Sequence, residues 1–266
     1  MASSSLFTST RPIVGMIHLL PLPESPAYLG NLDAIYEQAG REAAVLQAAG
    51  VDALIVENFG DEPYLPAELS TAQLAVMAAV TRDIIRAVNI PVGVNCQFNA
   101  WQSEVAVAHA CRADFIRVEV FVDTVLMAQG QVSPCSAQIR RYRQQLGAKG
   151  VALWADIQTK YTRSLIPQSI EQSALDAQAA GADVLIVTGA ATGQATPLEV
   201  VAQVKKVAGI PVVVGSGTTA ANASEVLRIA DGAIVGSALK VGGKAQNEVS
   251  AEAASAFMAA VRASTK

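Results

Sequence analysis

Eight short apolar runs alternate with eight amphipathic stretches along 266 residues, and this pattern predicts an α/β protein folded as one closed (β/α)8 TIM barrel over residues 1–266. Two further observations support it. The runs are built from Val, Ile, Leu and Ala with few aromatics, as expected for parallel strands covered on both faces. The stretch 209–240 holds two apolar runs separated by a helical segment, each breaking into a Gly/Ser turn, Gly215-Ser216-Gly217 and Gly236-Ser237. In such barrels the turns after the last two strands offer backbone N–H groups to an anion.

The first run, 13–17, closes on His18 and a proline-rich loop, 21–26, that proline keeps extended. Residues 31–50 read as an amphipathic helix ended by Gly50. The second strand, 53–56, leads to Glu57 and Asn58, and Ser70 or Thr71 caps a helix to about Val88. The third strand, 91–95, ends on Asn95 and is followed by a helix to Cys111. The fourth, 115–119, precedes a segment, 120–134, that is long for a strand-to-helix loop and reads as a lid or a substrate wall. A helix over 136–146 follows, then the fifth strand, 151–155, running into Asp156 and Lys160. A helix over 167–180, a strand over 184–187 ending at Thr188-Gly189, and a helix over 197–208 come next. Strands at 212–214 and 233–235, with helices at 220–229 and 247–263, complete eight units with no linker between them.

Charge and cysteine content narrow the function. A net charge of −4 with no basic cluster excludes nucleic acid as a partner, since phosphate backbones need grouped Lys and Arg. Cys96, Cys111 and Cys135 show no C-x-x-C spacing and read as reduced thiols. No apolar run reaches the roughly eighteen residues that span a bilayer, and residues 1–10 lack signal-peptide features. The expectation is a cytoplasmic protein with a frayed start, with attachment to a membrane surface left open. Outer helices rich in Ala, Val and Gln suit a homo-oligomer interface.

Side chains at the carboxyl ends of barrel strands converge on one mouth, which nominates His18, Glu57, Asn58, Asn95, Glu119, Asp156, Thr188, Ser216 and Ser237. Residues two apart share a strand face, so Arg117 accompanies Glu119 and Trp154 accompanies Asp156. An arginine inside a barrel must be matched by anions. Arg117 therefore either joins a buried network with Glu57, Glu119 and Asp156 or holds an anionic ligand. Glu57, Asp156, Asn95, His18 and Lys160 are the candidates for proton transfer, hydroxyl binding or charge stabilisation. Asn58, Arg117, Glu119, Thr188, Gly189, Ser216, Gly217, Gly236 and Ser237 are the candidates for ligand binding. No cofactor is signalled. His18, Glu57 and Asp156 could ligate a divalent ion, but no compact metal motif is present.

Several motifs also resemble a known family: Gly-Met-Ile-His-Leu-Leu-Pro-Leu-Pro at 15–23, Val-Glu-Asn-Phe-Gly-Asp-Glu-Pro-Tyr at 56–64, Phe-Ile-Arg-Val at 115–118 and Leu-Trp-Ala-Asp-Ile at 153–157. With Val-Thr-Gly-Ala-Ala-Thr-Gly at 187–193, Val-Gly-Ser-Gly-Thr-Thr at 214–219 and Gly-Ser-Ala-Leu-Lys at 236–240, they look like the BtpA/SgcQ family, in its order and over nearly the whole chain. The resemblance implies a ribulose-phosphate-binding-barrel-like fold, a small phosphorylated, sugar- or nucleoside-like ligand, and a reaction of lyase, isomerase or hydrolase type. It also implies an alternative role in photosystem I biogenesis, peripheral on the thylakoid membrane. Photosystem-type members carry Asn-Val-Leu-Arg-Asn-Asp after the third strand and Lys-His after the fifth. Here those places read Asn95-Cys96-Gln97-Phe98-Asn99-Ala100 and Lys160-Tyr161, so a phenol stands where an imidazole would.

Overall fold

The computed structural model describes residue 9 and residues 11–264; the expected fraying of residues 1–10 lies outside the described residues, apart from Ser9. Eight parallel strands close into a barrel: β1 (Ile13–His18), β2 (Ala53–Glu57), β3 (Val92–Asn95), β4 (Phe115–Val118), β5 (Ala152–Ile157), β6 (Val184–Val187), β7 (Val212–Val214) and β8 (Ala233–Val235). Neighbours round the barrel are neighbours in sequence, and β8 pairs back onto β1. Helices α1 (Leu32–Ala49), α2 (Thr71–Ala87), α3 (Trp101–Cys111), α4 (Ser136–Leu146), α5 (Ile170–Ala179), α6 (Leu198–Val207), α7 (Ala223–Ile229) and α8 (Ala251–Ser264) cover the outside.

The strand alternation separates two apolar layers. Val14, Met16, Ile55, Phe115, Trp154, Ile186, Val213 and Ile234 fill the barrel interior, where Phe115 and Trp154 stack with ring centroids 4.4 Å apart. Ile17, Leu54, Val56, Ile116 and Leu153 point outward against helix residues such as Leu46, Val80 and Ile139. Burying a Leu or Ile side chain contributes roughly 1.5–3 kcal/mol, so this shell between sheet and helices is where the ring is held together. The register then sets His18 beside Glu57 and Glu57 beside Asn95 at the strand ends.

Helix ends follow local chemistry. Asn31 caps α1 by accepting from the Ala34 amide, and Gly50 ends it at φ 90°. Ser70 and Gln73 form a reciprocal capping box on α2. Three expectations change. Helix α5 starts at Ile170, not at 167, because Ser169 caps it. Helix α8 starts at Ala251, not at 247, because Val249 is bridged to Lys240. The segment 120–134 is no open loop: Val125–Met127 and Gly130–Val132 form an antiparallel hairpin, and Arg163–Ser164 from the loop after β5 adds a third strand. This small sheet stands over one side of the barrel mouth.

Candidate active site

The strand ends surround a cavity of about 530 Å³, within the range of small-molecule pockets. His18, Glu57, Arg117, Glu119 and Lys160 line it, facing Gly193, Gly215, Ser216, Gly236 and Ser237 from the loops after β6, β7 and β8. The hairpin tip, Met127-Ala128-Gln129, forms one wall.

His18 is fixed from both sides. Its ring stacks on Phe59 at 4.2 Å, and Nδ1 donates to the Ala245 carbonyl at 2.9 Å. That bond leaves Nε2 as an acceptor, 3.9 Å from Glu57 Oε1. Burial, reinforced by the Lys240 ammonium, pulls the imidazole down to about 3, so it is neutral in ordinary buffers. Burial also raises the Glu57 carboxyl, while Arg117 and Lys160 act in the opposite direction.

Arg117 resolves the alternative posed by the sequence. Its Nε and Nη2 each donate to Asp156 at 3.0 Å, a bidentate pair in which both side chains are almost fully buried. Thr159 donates a third bond to the same carboxylate at 3.2 Å. Asp156 is therefore occupied in holding Arg117 and does not line the cavity. Burial disfavours a charged guanidinium, but Asp156 more than offsets it and keeps Arg117 protonated.

Asn95 also turns away from the cavity. Its amide nitrogen approaches Glu104 Oε1 at 3.1 Å, the Arg117 carbonyl at 2.8 Å and Glu119 Oε1 at 2.7 Å. The Asn99 amide reaches the other Glu119 oxygen at 3.0 Å. Burial raises Glu119 to about 8, against the opposing Asn95 bond, and raises Glu104 well above its usual range, with Glu119 adding to the effect. Burial thus favours the protonated form of both acids.

Lys160 has no hydrogen-bond or ion-pair partner among the described residues, and burial, followed by Arg117, lowers its ammonium. With Arg117 matched by Asp156, the charge of the mouth is set by Lys160 and Glu57, together with Glu62 and Lys244, which also line it.

The turns after β6 and β7 divide differently from the expectation. Gly217 (φ 71°) and Gly189 face the backbone of Gln194 and Ala195, and a Cβ at Gly217 would overlap that backbone. The Ser216 hydroxyl is engaged as well, accepting from the Gly189 amide at 2.9 Å. These glycines permit the β6–α6 loop to pack on β7, and Gly217, Gly189 and Thr188 do not line the cavity. Asn58 is similarly occupied, accepting from the Gln97 amide at 2.6 Å and donating to Asp61 at 3.0 Å. Gly236 and Ser237 remain open to the mouth, where the Ser237 hydroxyl has no hydrogen-bond partner among the described residues. No group of three or more His, Cys, Asp or Glu side chains converges as a metal site among the described residues.

A model of the BtpA family matches residues 9–263. The chain belongs to the BtpA family. An uncharacterised protein of Pyrococcus abyssi is 37% identical over 254 residues, covering 95% of this chain and 96% of its own. A mitochondrial uncharacterised protein of Caenorhabditis elegans is 36% identical over 263 residues, covering 96% and 95%. The photosystem I biogenesis protein BtpA of Synechocystis is 35% identical over 257 residues, covering 96% and 89%. Among solved structures, thiamine phosphate pyrophosphorylase from Pyrococcus furiosus superposes with a TM-score of 0.58 at 18% identity, covering 97% of this chain and 98% of its own. N-(5'-phosphoribosyl)anthranilate isomerase from the same organism gives 0.57 at 16%, covering 95% and 99%. Identities this low establish the shared TIM-barrel fold and nothing finer.

Three residues of this BtpA-family site escape a strand-end search. Glu104 lies on α3 and is fully buried, with Oε1 accepting from the Cys96 amide at 2.8 Å. Glu42, on α1, pairs with Lys240 at 3.4 Å, and that pair anchors the loop carrying Ala245 to His18. Acidic residues within helices usually face solvent, and only the apolar neighbours of Glu42 (Ala39, Ala43 and Leu46) hint otherwise. Tyr161 accepts a bond from the Thr192 amide at 2.7 Å, so the phenol joins the loops after β5 and β6.

Proposed function

We propose that this BtpA-family barrel is an enzyme that binds a small phosphorylated, sugar- or nucleoside-like molecule at its mouth and moves protons on it. The observation that carries this is Lys160: an ammonium without an ion-pair partner, set in one cavity with the raised carboxyl of Glu57 and the open turn at Gly236 and Ser237. The phosphate lies toward the backbone amides of Gly193 and Gly236 and the hydroxyl of Ser237. The reacting end lies toward Glu57, His18 Nε2 and Glu119, as base, acceptor and acid. Arg117 and Asp156 keep that floor rigid. The geometry is compatible with lyase, isomerase or hydrolase chemistry.

Calorimetric titration with inorganic phosphate and ribose 5-phosphate tests the binding step. Saturable binding is expected in the parent protein. It should be lost in Ser237→Asp, which sets a carboxylate at the anion position, with the melting temperature retained. Equal binding by both proteins, or none by the parent, would remove phosphate from the site. Gly217→Asp is a poor probe because its side chain would strike the Gln194 backbone before meeting any ligand.

A role in photosystem I biogenesis, peripheral on thylakoids, draws support from the Synechocystis relative and from the exposed Leu126, Leu165 and Ile166 on or beside the small sheet. Normal photosystem I levels after deletion in a phototrophic host would end the assembly role.

A further inference from the structure

Lys160 differs from the other described lysines. Lys205 is paired with Asp231 and Lys240 with Glu42, while Lys149, Lys206 and Lys244 are exposed. Lys160 sits in the cavity wall and no carboxylate contacts it. Two of the nearby acids are engaged elsewhere: Asp156 is held by Arg117 and Thr159, and Glu119 by Asn95 and Asn99, while Glu57 makes no ion pair with Lys160. A lysine becomes a nucleophile when it is desolvated or set beside another cation. Lys160 has both conditions, since the neighbouring cation is Arg117, and both act to lower its ammonium.

We propose that Lys160 forms a Schiff base with an aldehyde or ketone, so that the ligand of this mouth is a phosphorylated carbonyl compound. The phosphate half of that statement rests on the function proposed above; the nucleophile does not. In the covalent step the neutral Nζ adds its lone pair to the carbonyl carbon, and the proton the nitrogen then sheds passes to the carbonyl oxygen to give a neutral carbinolamine. A second proton, from the Glu119 carboxyl, lets that oxygen leave as water while the nitrogen lone pair closes the C=N bond. No oxidant or reductant takes part. The iminium then withdraws electrons from the adjacent carbon, where Glu57 can remove or return a proton.

Two measurements test this, the first on the unaltered protein. In the first, formaldehyde and cyanoborohydride at neutral pH methylate amines through a Schiff base small enough to enter the cavity, and peptide mass mapping gives a rate for each lysine. Lys160 is expected to react several-fold faster than Lys149 and Lys206. A rate at or below theirs would overturn the proposal whatever the true substrate. In the second, borohydride trapping is run with glyceraldehyde 3-phosphate and with glyceraldehyde. One adduct per chain is expected, at Lys160, slowed by inorganic phosphate and absent in Lys160→Arg. Fast labelling of Lys160 without protection by phosphate would keep the nucleophile and discard the phosphate. Phosphate binding without excess labelling at Lys160 would do the reverse.

Discussion

Replacing Lys240 with Met tests the anchor that holds His18 in place. The Lys240 side chain is excluded from solvent, with Nζ 3.4 Å from Glu42 Oε2 and 3.0 Å from the Asn247 carbonyl. Glu42 Oε1 in turn accepts from the Val249 amide at 3.1 Å and from Gln38 at 3.2 Å. These bonds clamp the loop after β8 to α1, and that loop places the Ala245 carbonyl on His18. Breaking a buried pair from one side costs about 3–5 kcal/mol, chiefly because the remaining charge is stranded. Here the cost should be nearer ~2–3 kcal/mol, because Glu42 keeps two hydrogen bonds and burial already raises its carboxyl, making protonation an available escape. The sign of the pH dependence follows. A carboxyl raised in the folded state binds its proton more tightly folded than unfolded, so stability falls as pH rises through its folded value. Lys240 is the main opposing influence on Glu42, and its removal enlarges the shift. The penalty of Lys240→Met should therefore be smaller near about pH 5 than near about pH 8. Adding Glu42→Gln removes the stranded charge while leaving an oxygen for Val249, so the double variant should lose at least ~1 kcal/mol less than the sum of the singles. Urea denaturation at both pH values measures all of this. A loss below ~0.5 kcal/mol for Lys240→Met, or strict additivity in the double variant, would refute the anchor.

Further outcomes are expected at the mouth. Glu119, raised to about 8, contributes stability that is complete below its unfolded value and lost as pH rises from there through about 8. Glu119→Gln should flatten the decline, which denaturation curves at acidic and alkaline pH would register. Gly217→Ala combines φ 71° with overlap onto the Gln194 and Ala195 backbone, so it should destabilise by more than ~1–3 kcal/mol and disorder the β6–α6 loop, read by thermal melting and hydrogen exchange. Gly236→Ala would place a methyl 3.3 Å from His18 Cε1 and 3.4 Å from Nε2, against a ring that Phe59 and Ala245 hold in place; it should lower the melting temperature modestly and weaken phosphate binding in calorimetry. Tyr161→Phe removes one partly exposed bond to the Thr192 amide, so ~0.5–1.5 kcal/mol is the ceiling on its cost, with faster amide exchange around Thr192 as the local sign.

The barrel was legible in the sequence because its determinants are local. A buried parallel strand needs a short apolar run, a helix needs a cap and an apolar stripe, and the two-residue strand period carries Ile55 to Glu57, Arg117 to Glu119 and Trp154 to Asp156 on one face. The same period brings His18, Glu57, Arg117, Glu119 and Ser237 to the mouth along with Lys160. Pairing across the ring lay beyond it. Whether Arg117 would meet a ligand or Asp156, and whether Asn95 would face the cavity or bind Glu104 and Glu119, depends on distances between residues 9 to 39 positions apart. Gly189 and Gly217 show the limit most plainly. A glycine in a turn can bare an amide or admit another backbone, and nothing within the turn separates the two. The Gln194 and Ala195 backbone decides in favour of packing at both, while the turn at Gly236 stays open because no such segment lies over it. Glu42 and Glu104 read as ordinary helix acids until a loop from the far end of the chain, and the Glu119 carboxyl just past β4, are folded against them. Secondary structure is set by each residue and its near neighbours, whereas the charge of a buried group is set by whatever the closed ring places around it.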